Sequence, residues 1–138
     1  MSRWTCPACD RQFGAINQAH VCVPGNSLEE TFARYPPGHR DICDAVIECL
    51  SELGPLHVDP VTVGVFLKTQ RKLAEVRPKQ RWVSLEIVLP DRTEDPRITR
   101  QVRIADRRIV HVVRLAGVQE LDDQVRSWLE RAYDAATD

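Results

Sequence analysis

Three of the chain's five cysteines fall within its first 22 residues, and that crowding constrains the fold more than any other feature. The stretch reads Trp4-Thr5-Cys6-Pro7-Ala8-Cys9-Asp10-Arg11-Gln12-Phe13, then His20-Val21-Cys22. Cys6 and Cys9 are separated by two residues, so one tight turn presents two thiolates to a single ion. His20 and Cys22 follow after a further ten residues and complete a four-ligand set. Zinc favours such a tetrahedral Cys₃His shell, and a full shell leaves no open position for water. The expected role of zinc is therefore structural. Phe13 supplies an apolar plug for a unit too small to build a core of its own. Two other readings of the thiols stand beside this one: packed cysteines without metal, and a redox Cys-x-x-Cys pair. The order Met1-Ser2-Arg3-Trp4-Thr5-Cys6 lacks the basic-then-apolar pattern of a signal peptide. A disulfide framework is thus not expected, and a cytoplasmic location is.

The pattern Cys-x-x-Cys-x-Arg-x-Phe with a distal His and Cys resembles small zinc fingers of the Cys-Cys-His-Cys type. The His20-x-Cys22 gap is tighter than in the common finger, so a groove-reading helix is not implied. Residues 1–25 read as a head and 26–138 as a body, with a break at Val23-Pro24-Gly25-Asn26.

The body is long enough to bury a core without disulfides. Ser27-Leu28-Glu29-Glu30 is a capping box, and a short helix is expected to about Arg34. Tyr35-Pro36-Pro37-Gly38 stops it. Ile42, Val46, Ile47, Leu50 and Leu53 form an apolar stripe that predicts a helix over 40–53, ended by Gly54-Pro55. Cys43 and Cys49 lie on this helix and read as core. The period then changes to two. Strands are expected over 61–68, 73–77, 83–89, 98–104 and 109–115, with short turns between them. Leu121, Val125, Trp128, Leu129 and Ala132 mark a last amphipathic helix to about Ala135. The fold class is α+β: an antiparallel sheet of about five strands, with helices packed on one face and a small metal-binding head attached. No apolar run approaches a membrane span.

Net charge is −1, from 19 basic and 20 acidic residues, but the charges are segregated. Residues 27–60 hold seven acids against two bases, whereas 66–82 hold six bases against one acid. Residues 97–114 repeat the six-to-one ratio. Phe66, Lys68, Trp82, Ser84 and Glu86 share one sheet face by alternation. An open face with aromatics and flanking bases stacks nucleobases and holds phosphates in several single-strand binding modules. Phe66, Lys68, Arg71, Arg81 and Trp82 are therefore the candidate ligand residues, for nucleic acid or an acidic protein partner. The competing reading is a solvated face, or one covered by the head.

Two further readings remain. Asp41, Asp44, Glu48 and Glu52 form an acidic helix stripe that could hold a hard cation, which would make the chain a metal-handling or protein-interaction domain. Arg107, Arg108, His111 and Arg114 could place an anion, with His111 as a general base in an enzyme of unknown chemistry. Alternation also allows a half-buried, hydrogen-bonded His111. No phosphate-binding glycine loop, serine triad or paired catalytic carboxylates stand out by motif. A non-enzymatic binding module is the leading expectation.

Several runs carry a family resemblance: Phe32 to Pro37, Leu53-Gly54-Pro55, Arg107 to Leu115, Glu120-Leu121-Asp122-Asp123 and Trp128-Leu129. Together they resemble an uncharacterised bacterial family, a domain of unknown function. Some of its members carry a Trp-x-Cys-Pro-x-Cys head. The element order is also similar to frataxin-like iron chaperones, a likeness that implies two helices on one sheet and no activity by itself.

Overall fold

The structure is a computed structural model, and it describes residues 3–20, 22 and 25–137. The break expected at Val23-Pro24 lies outside these residues. Next to it, Gly25 bridges Val61 in antiparallel fashion.

The head contains a two-stranded ribbon, β1 (Trp4–Thr5) with β2 (Gln12–Phe13). Helix α1 (Leu28–Phe32) starts where the capping box requires. The Glu30 amide donates to Ser27 Oγ at 3.0 Å, and the Ser27 amide donates to Glu30 Oε1 at 3.1 Å. Helix α2 runs Pro37–Ser51, three residues earlier than expected from its apolar stripe. Helix α1 ends at Phe32, two residues short of the expected Arg34 and ahead of both prolines, and Pro37 starts α2. Its missing N–H is no loss in the first turn, where no intrahelical acceptor exists.

The main sheet has six strands, one more than expected. They are β3 (His57–Pro60), β4 (Val65–Lys68), β5 (Lys72–Pro78), β6 (Val83–Leu89), β7 (Ile98–Ala105) and β8 (Arg108–Leu115). The spatial order is β3-β4-β5-β6-β8-β7, antiparallel throughout. The continuous strand expected over 61–68 is instead a hairpin. Val61 and Gly64 exchange backbone hydrogen bonds at 2.8 and 3.4 Å, so the chain reverses there. Val63 lies 56% exposed at the tip rather than in the core. Gly64 is required at this turn, since a Cβ would stand 2.6 Å from the Val76 carbonyl oxygen. A short 3₁₀ turn (Val118–Glu120) leads into helix α3 (Asp123–Thr137).

The first sheet face carries Val65, Leu67, Ala74, Val76, Leu85, Ile87 and Val113, all buried against the apolar sides of α2 and α3. Each fully buried side chain of this size contributes about 2 kcal/mol. Cys43 and Cys49 belong to this core. Burial pushes the Cys43 thiol up to about 12, which keeps it protonated. Among the described residues, no helix packs on the second sheet face. The head covers its β3–β4 end. Among the described residues, no helix is long and apolar enough to cross a membrane.

Candidate metal centre and sheet face

Cys6 and Cys9, the first two candidate metal ligands, sit on a short reversal in the head. The Asp10 amide donates to the Cys6 carbonyl at 2.8 Å, and the Cys6 amide donates to Arg11 O at 2.9 Å. Asp10 takes φ of 59°, the left-handed conformation that closes the turn. Cys6, Cys9, His20 and Cys22 converge, with one ligand atom from each within 4.8 Å of the others. Cys6 Sγ lies 3.7 Å from Cys22 Sγ. His20 Nε2 lies 3.5 Å from Cys9 Sγ and 3.3 Å from Cys22 Sγ.

These separations fit one tetrahedral ion. Sulfurs about 2.3 Å from an ion such as zinc stand about 3.8 Å apart at the tetrahedral angle. The donor set fits as well. His20 Nδ1 donates to the Gln18 carbonyl at 2.7 Å, which fixes the tautomer and turns the Nε2 lone pair toward the sulfurs. Against the cost of burial, hydrogen bonds from the Ala8 and Cys9 backbone and from the Cys9 and Cys22 thiols hold Cys6 down to about 6. Its hydrogen bond to Cys6, with burial, pushes Cys22 up to about 11. Negative charge on one sulfur thus opposes ionisation of the next, and a cation at the centre removes that opposition. The Phe13 ring stacks on His20 at 3.9 Å, and Trp4 meets the same imidazole edge-on at 6.0 Å. The cluster can therefore hold a metal ion, with Phe13 and Trp4 as its apolar packing.

The head is docked on the sheet through a buried ion triad. Arg11 donates to Asp59 Oδ2 through Nε at 3.1 Å and Nη2 at 3.0 Å. Lys68 Nζ donates to the same oxygen at 2.9 Å. All three residues are buried. Burial opposes the Asp59 charge, but the Lys68 and Arg11 hydrogen bonds overcome it and hold the carboxyl below its ordinary value. Lys68 Nζ also stands 4.4 Å from the centre of the Phe13 ring. Gly14 lets the head approach closely, since a Cβ there would meet the Gln70 carbonyl oxygen at 3.0 Å.

This docking separates the candidate ligand residues. Phe66 is half-buried beneath the head, with Arg11 Cζ 5.2 Å from its ring centre. Lys68 is committed to Asp59. Arg71 is exposed and donates through Nη2 to Ala135 O at 3.0 Å, at the end of α3. Arg81 is exposed in the turn before β6. Trp82 lies at the other end of the sheet, half-buried, with Arg114 Cζ 4.3 Å from its ring centre. Around Trp82 is an open groove of about 540 Å³, lined by Arg77, Lys79, Arg100 and Arg114 with Glu86 as its one acid. Burial, and then the neighbouring Glu75 carboxylate, raise the Glu86 carboxyl above its ordinary value. Arg77 stands between the two acids, 3.4 Å from Glu86 and in contact with Glu75.

The partners of Trp82 come from three other strands. Arg114 follows from register, because it pairs with Ser84 two residues beyond Trp82. Arg100 pairs with Val112, which pairs with Glu86. Arg11 and Asp59 are 48 residues apart and carried no local signal for docking.

His111 is buried at 1% exposure. Its Nδ1 donates to Ile109 O at 2.9 Å, and its Nε2 accepts from the Thr93 amide at 3.0 Å. Both ring nitrogens thus serve the backbone, and burial lowers its pKa. His39 bonds the Lys79 carbonyl oxygen at 2.8 Å. On α2, Asp41, Asp44 and Glu48 are exposed, and Asp44 accepts from Arg40 at 2.9 Å. Among the described residues, the Cys/His set is the one convergent metal-binding group.

The family described as "domain of unknown function (DUF5655)" matches residues 28–136. The chain belongs to this family. The matched segment runs from the start of α1 almost to the end of α3, and it begins after the Cys/His cluster. No curated protein and no solved structure matches the chain.

Proposed function

We propose that this DUF5655 chain is a non-enzymatic binding module whose head is folded by one structural zinc ion and whose open half-sheet binds single-stranded nucleic acid. The observation that carries the reading is the Trp82 groove. An indole there lies under a guanidinium, with three more bases around it and one acid. A base can stack on the indole while phosphates meet the arginines, a combination that is tolerant of sequence. The ligand set differs from the one the sequence alone indicated. Trp82 stays, joined by Arg114, Arg100, Arg77 and Lys79. Phe66 and Lys68 instead serve the head.

The four-ligand shell is full, so zinc in the head organises structure and offers no site for a water nucleophile. Reduced thiolate ligands fit the reducing cytoplasm. The test is fluorescence anisotropy with a labelled oligonucleotide of mixed sequence, as DNA and as RNA, at several salt concentrations. Wild type should bind with a negative salt slope. Trp82→Ala and Arg114→Ala should each weaken binding. Equal binding by both variants overturns the reading, as does a salt-independent affinity.

A further inference from the structure

Arg107, Arg108, His111 and Arg114 carry the sequence expectation of an anion site, and the fold parts them. His111 is buried, and Arg114 lies over Trp82. Arg107 and Arg108 instead line an open cavity of about 560 Å³ at the opposite end of the strands. Arg71 and Lys72 line it where β5 begins, and Arg131 lines it from α3. This cavity shares no lining residue with the Trp82 groove.

Arg108 is the unusual group. It is half-buried, and its Nη2 donates to the Lys72 carbonyl. Arg11, Arg77 and Arg97 each meet a carboxylate. Among the described residues, Arg108 meets none. Burial, and then the Arg71 charge, lower its pKa from the ordinary value. Arg71 is exposed, and its Nη2 bond to Ala135 O at 3.0 Å holds it at the cavity wall. That bond also covers the negative end of α3, which would otherwise oppose an anion. An anion between two guanidiniums that repel each other relieves the repulsion, and a phosphate monoester offers their forks three terminal oxygens.

The rest of the lining narrows the ligand. Among the described residues, no aromatic ring lines the cavity, so a nucleobase finds no surface to stack on. Its acids, Asp91, Asp106 and Asp134, are all exposed, and Asp91 lies 3.9 Å from Arg107. These carboxylates repel a second anionic group and accept hydrogen bonds from hydroxyls. A ligand with one phosphate and a hydroxylated body suits both parts. The volume lies in the range of small-molecule sites.

We propose that this cavity binds a sugar phosphate, with the phosphate on Arg71 and Arg108 and the hydroxyls toward Asp91 and Asp134. Arg107 and Arg131 add to the field that draws the phosphate in. Every lining residue falls between Arg71 and Ala136, so the site belongs to the body and owes nothing to the head.

Glucose 6-phosphate is the probe, titrated into the full-length, metal-loaded chain and followed by amide NMR shifts. Saturable shifts at Lys72, Arg108 and Ala135 are expected. Glucose, which lacks the phosphate, should bind at least about tenfold more weakly. Inorganic phosphate, which lacks the hydroxyls, should bind about three- to tenfold more weakly. Arg108→Gln and Arg71→Gln should each weaken glucose 6-phosphate binding by about tenfold. Asp134→Ala separates ligand contact from misfolding. It should narrow the preference for glucose 6-phosphate over inorganic phosphate, because the sugar loses an acceptor while the bare anion loses a repulsion. Absence of any saturable shift overturns the proposal. So does equal affinity for glucose 6-phosphate and either glucose or inorganic phosphate, and so does wild-type affinity in Arg108→Gln. Trp82→Ala should leave glucose 6-phosphate binding unchanged, which separates this result from that of the groove.

Discussion

On the β3–β4 half of the second sheet face, Lys68 stands 5.8 Å from the centre of the Phe66 ring. On the β6–β8 half, Arg114 stands 4.3 Å from the centre of the Trp82 ring. The two halves thus present the same motif, a cation over an aromatic ring. They differ in what covers them. The first is closed by Arg11 and Phe13 of the head, with Asp59 drawn into a buried triad. The second is open. The motif itself therefore does not say whether a surface is for a ligand or for the chain's own packing. The deciding element is the head, and the head carries a cluster that can hold a metal ion.

Removing the metal should produce the largest change. Structural zinc in small units contributes about 10 kcal/mol or more of folding free energy. Chelation, or Cys9→Ser, should unfold the head and leave the α1-to-α3 unit folded on its own core. Elemental analysis should find about one zinc per chain in wild type and none in the variant. Of the three indole N–H resonances, that of Trp4 should collapse while those of Trp82 and Trp128 hold. Phe66 and Lys68 would then become accessible, and the two halves of the face would become alike. Loss of all three indole signals together would break the comparison, because head and body would then be one cooperative unit.

The triad is the next lever. Asp59→Asn leaves Arg11 and Lys68 buried without their counter-charge, which should cost about 3 to 5 kcal/mol in denaturant unfolding. The pH dependence has a fixed sign. The Asp59 carboxyl is held below its ordinary value of 3.8, so its contribution is complete above that pH and is lost as pH falls below it. Asp59→Asn should remove that part of the acid sensitivity. A variant as stable as wild type would show that docking does not rest on the triad.

What the sequence disclosed follows the range of each signal. The Cys6–Cys9 spacing, the Ser27 capping box and the α2 stripe are all written within a few residues, and each could be read. The Val61-to-Lys68 run could not, because its alternation continues unbroken through a turn. Thr62-Val63 carries no proline, asparagine or aspartate to mark the reversal, and only Gly64 hints at it. Docking of the head was open for a different reason. Arg11 and Asp59 lie on separate units, and neither residue is unusual where it stands. The Trp82 groove was half legible. Parity put Trp82 on the second face, but Arg100 and Arg114 join it only through the β6-β8-β7 order, in which the last two strands exchange places. A meander read from chain order would have put β7 beside β6.

Ligand binding should separate the two halves again. A base stacked on an aromatic side chain contributes about 1 to 3 kcal/mol. Trp82→Ala should therefore weaken oligonucleotide binding by roughly ten- to a hundredfold. Arg114→Ala should flatten the salt slope by about one unit. Phe66→Ala should change affinity little while the head is docked, and its effect should grow after chelation. A Phe66→Ala loss as large as that of Trp82→Ala in metal-loaded protein would mean that the covered half is the ligand face.

The smallest effect concerns the one acid in the groove. Burial and Glu75 hold the Glu86 carboxyl above its ordinary value of 4.5, so it takes up its proton at a higher pH than a free glutamate. Each step down in pH toward that range removes negative charge from beside the phosphates, and affinity should rise. Glu86→Gln should raise affinity at neutral pH by about two- to fivefold, the scale of one like-charge contact in water. It should also remove this part of the pH dependence. Arg77 complicates the outcome in a useful way, because it is shared by Glu75 and Glu86. In Glu86→Gln it is released toward Glu75 alone. If affinity falls instead of rising, Glu86 acts by aiming Arg77 into the groove, and the arginine rather than the acid sets the strength of this half of the face.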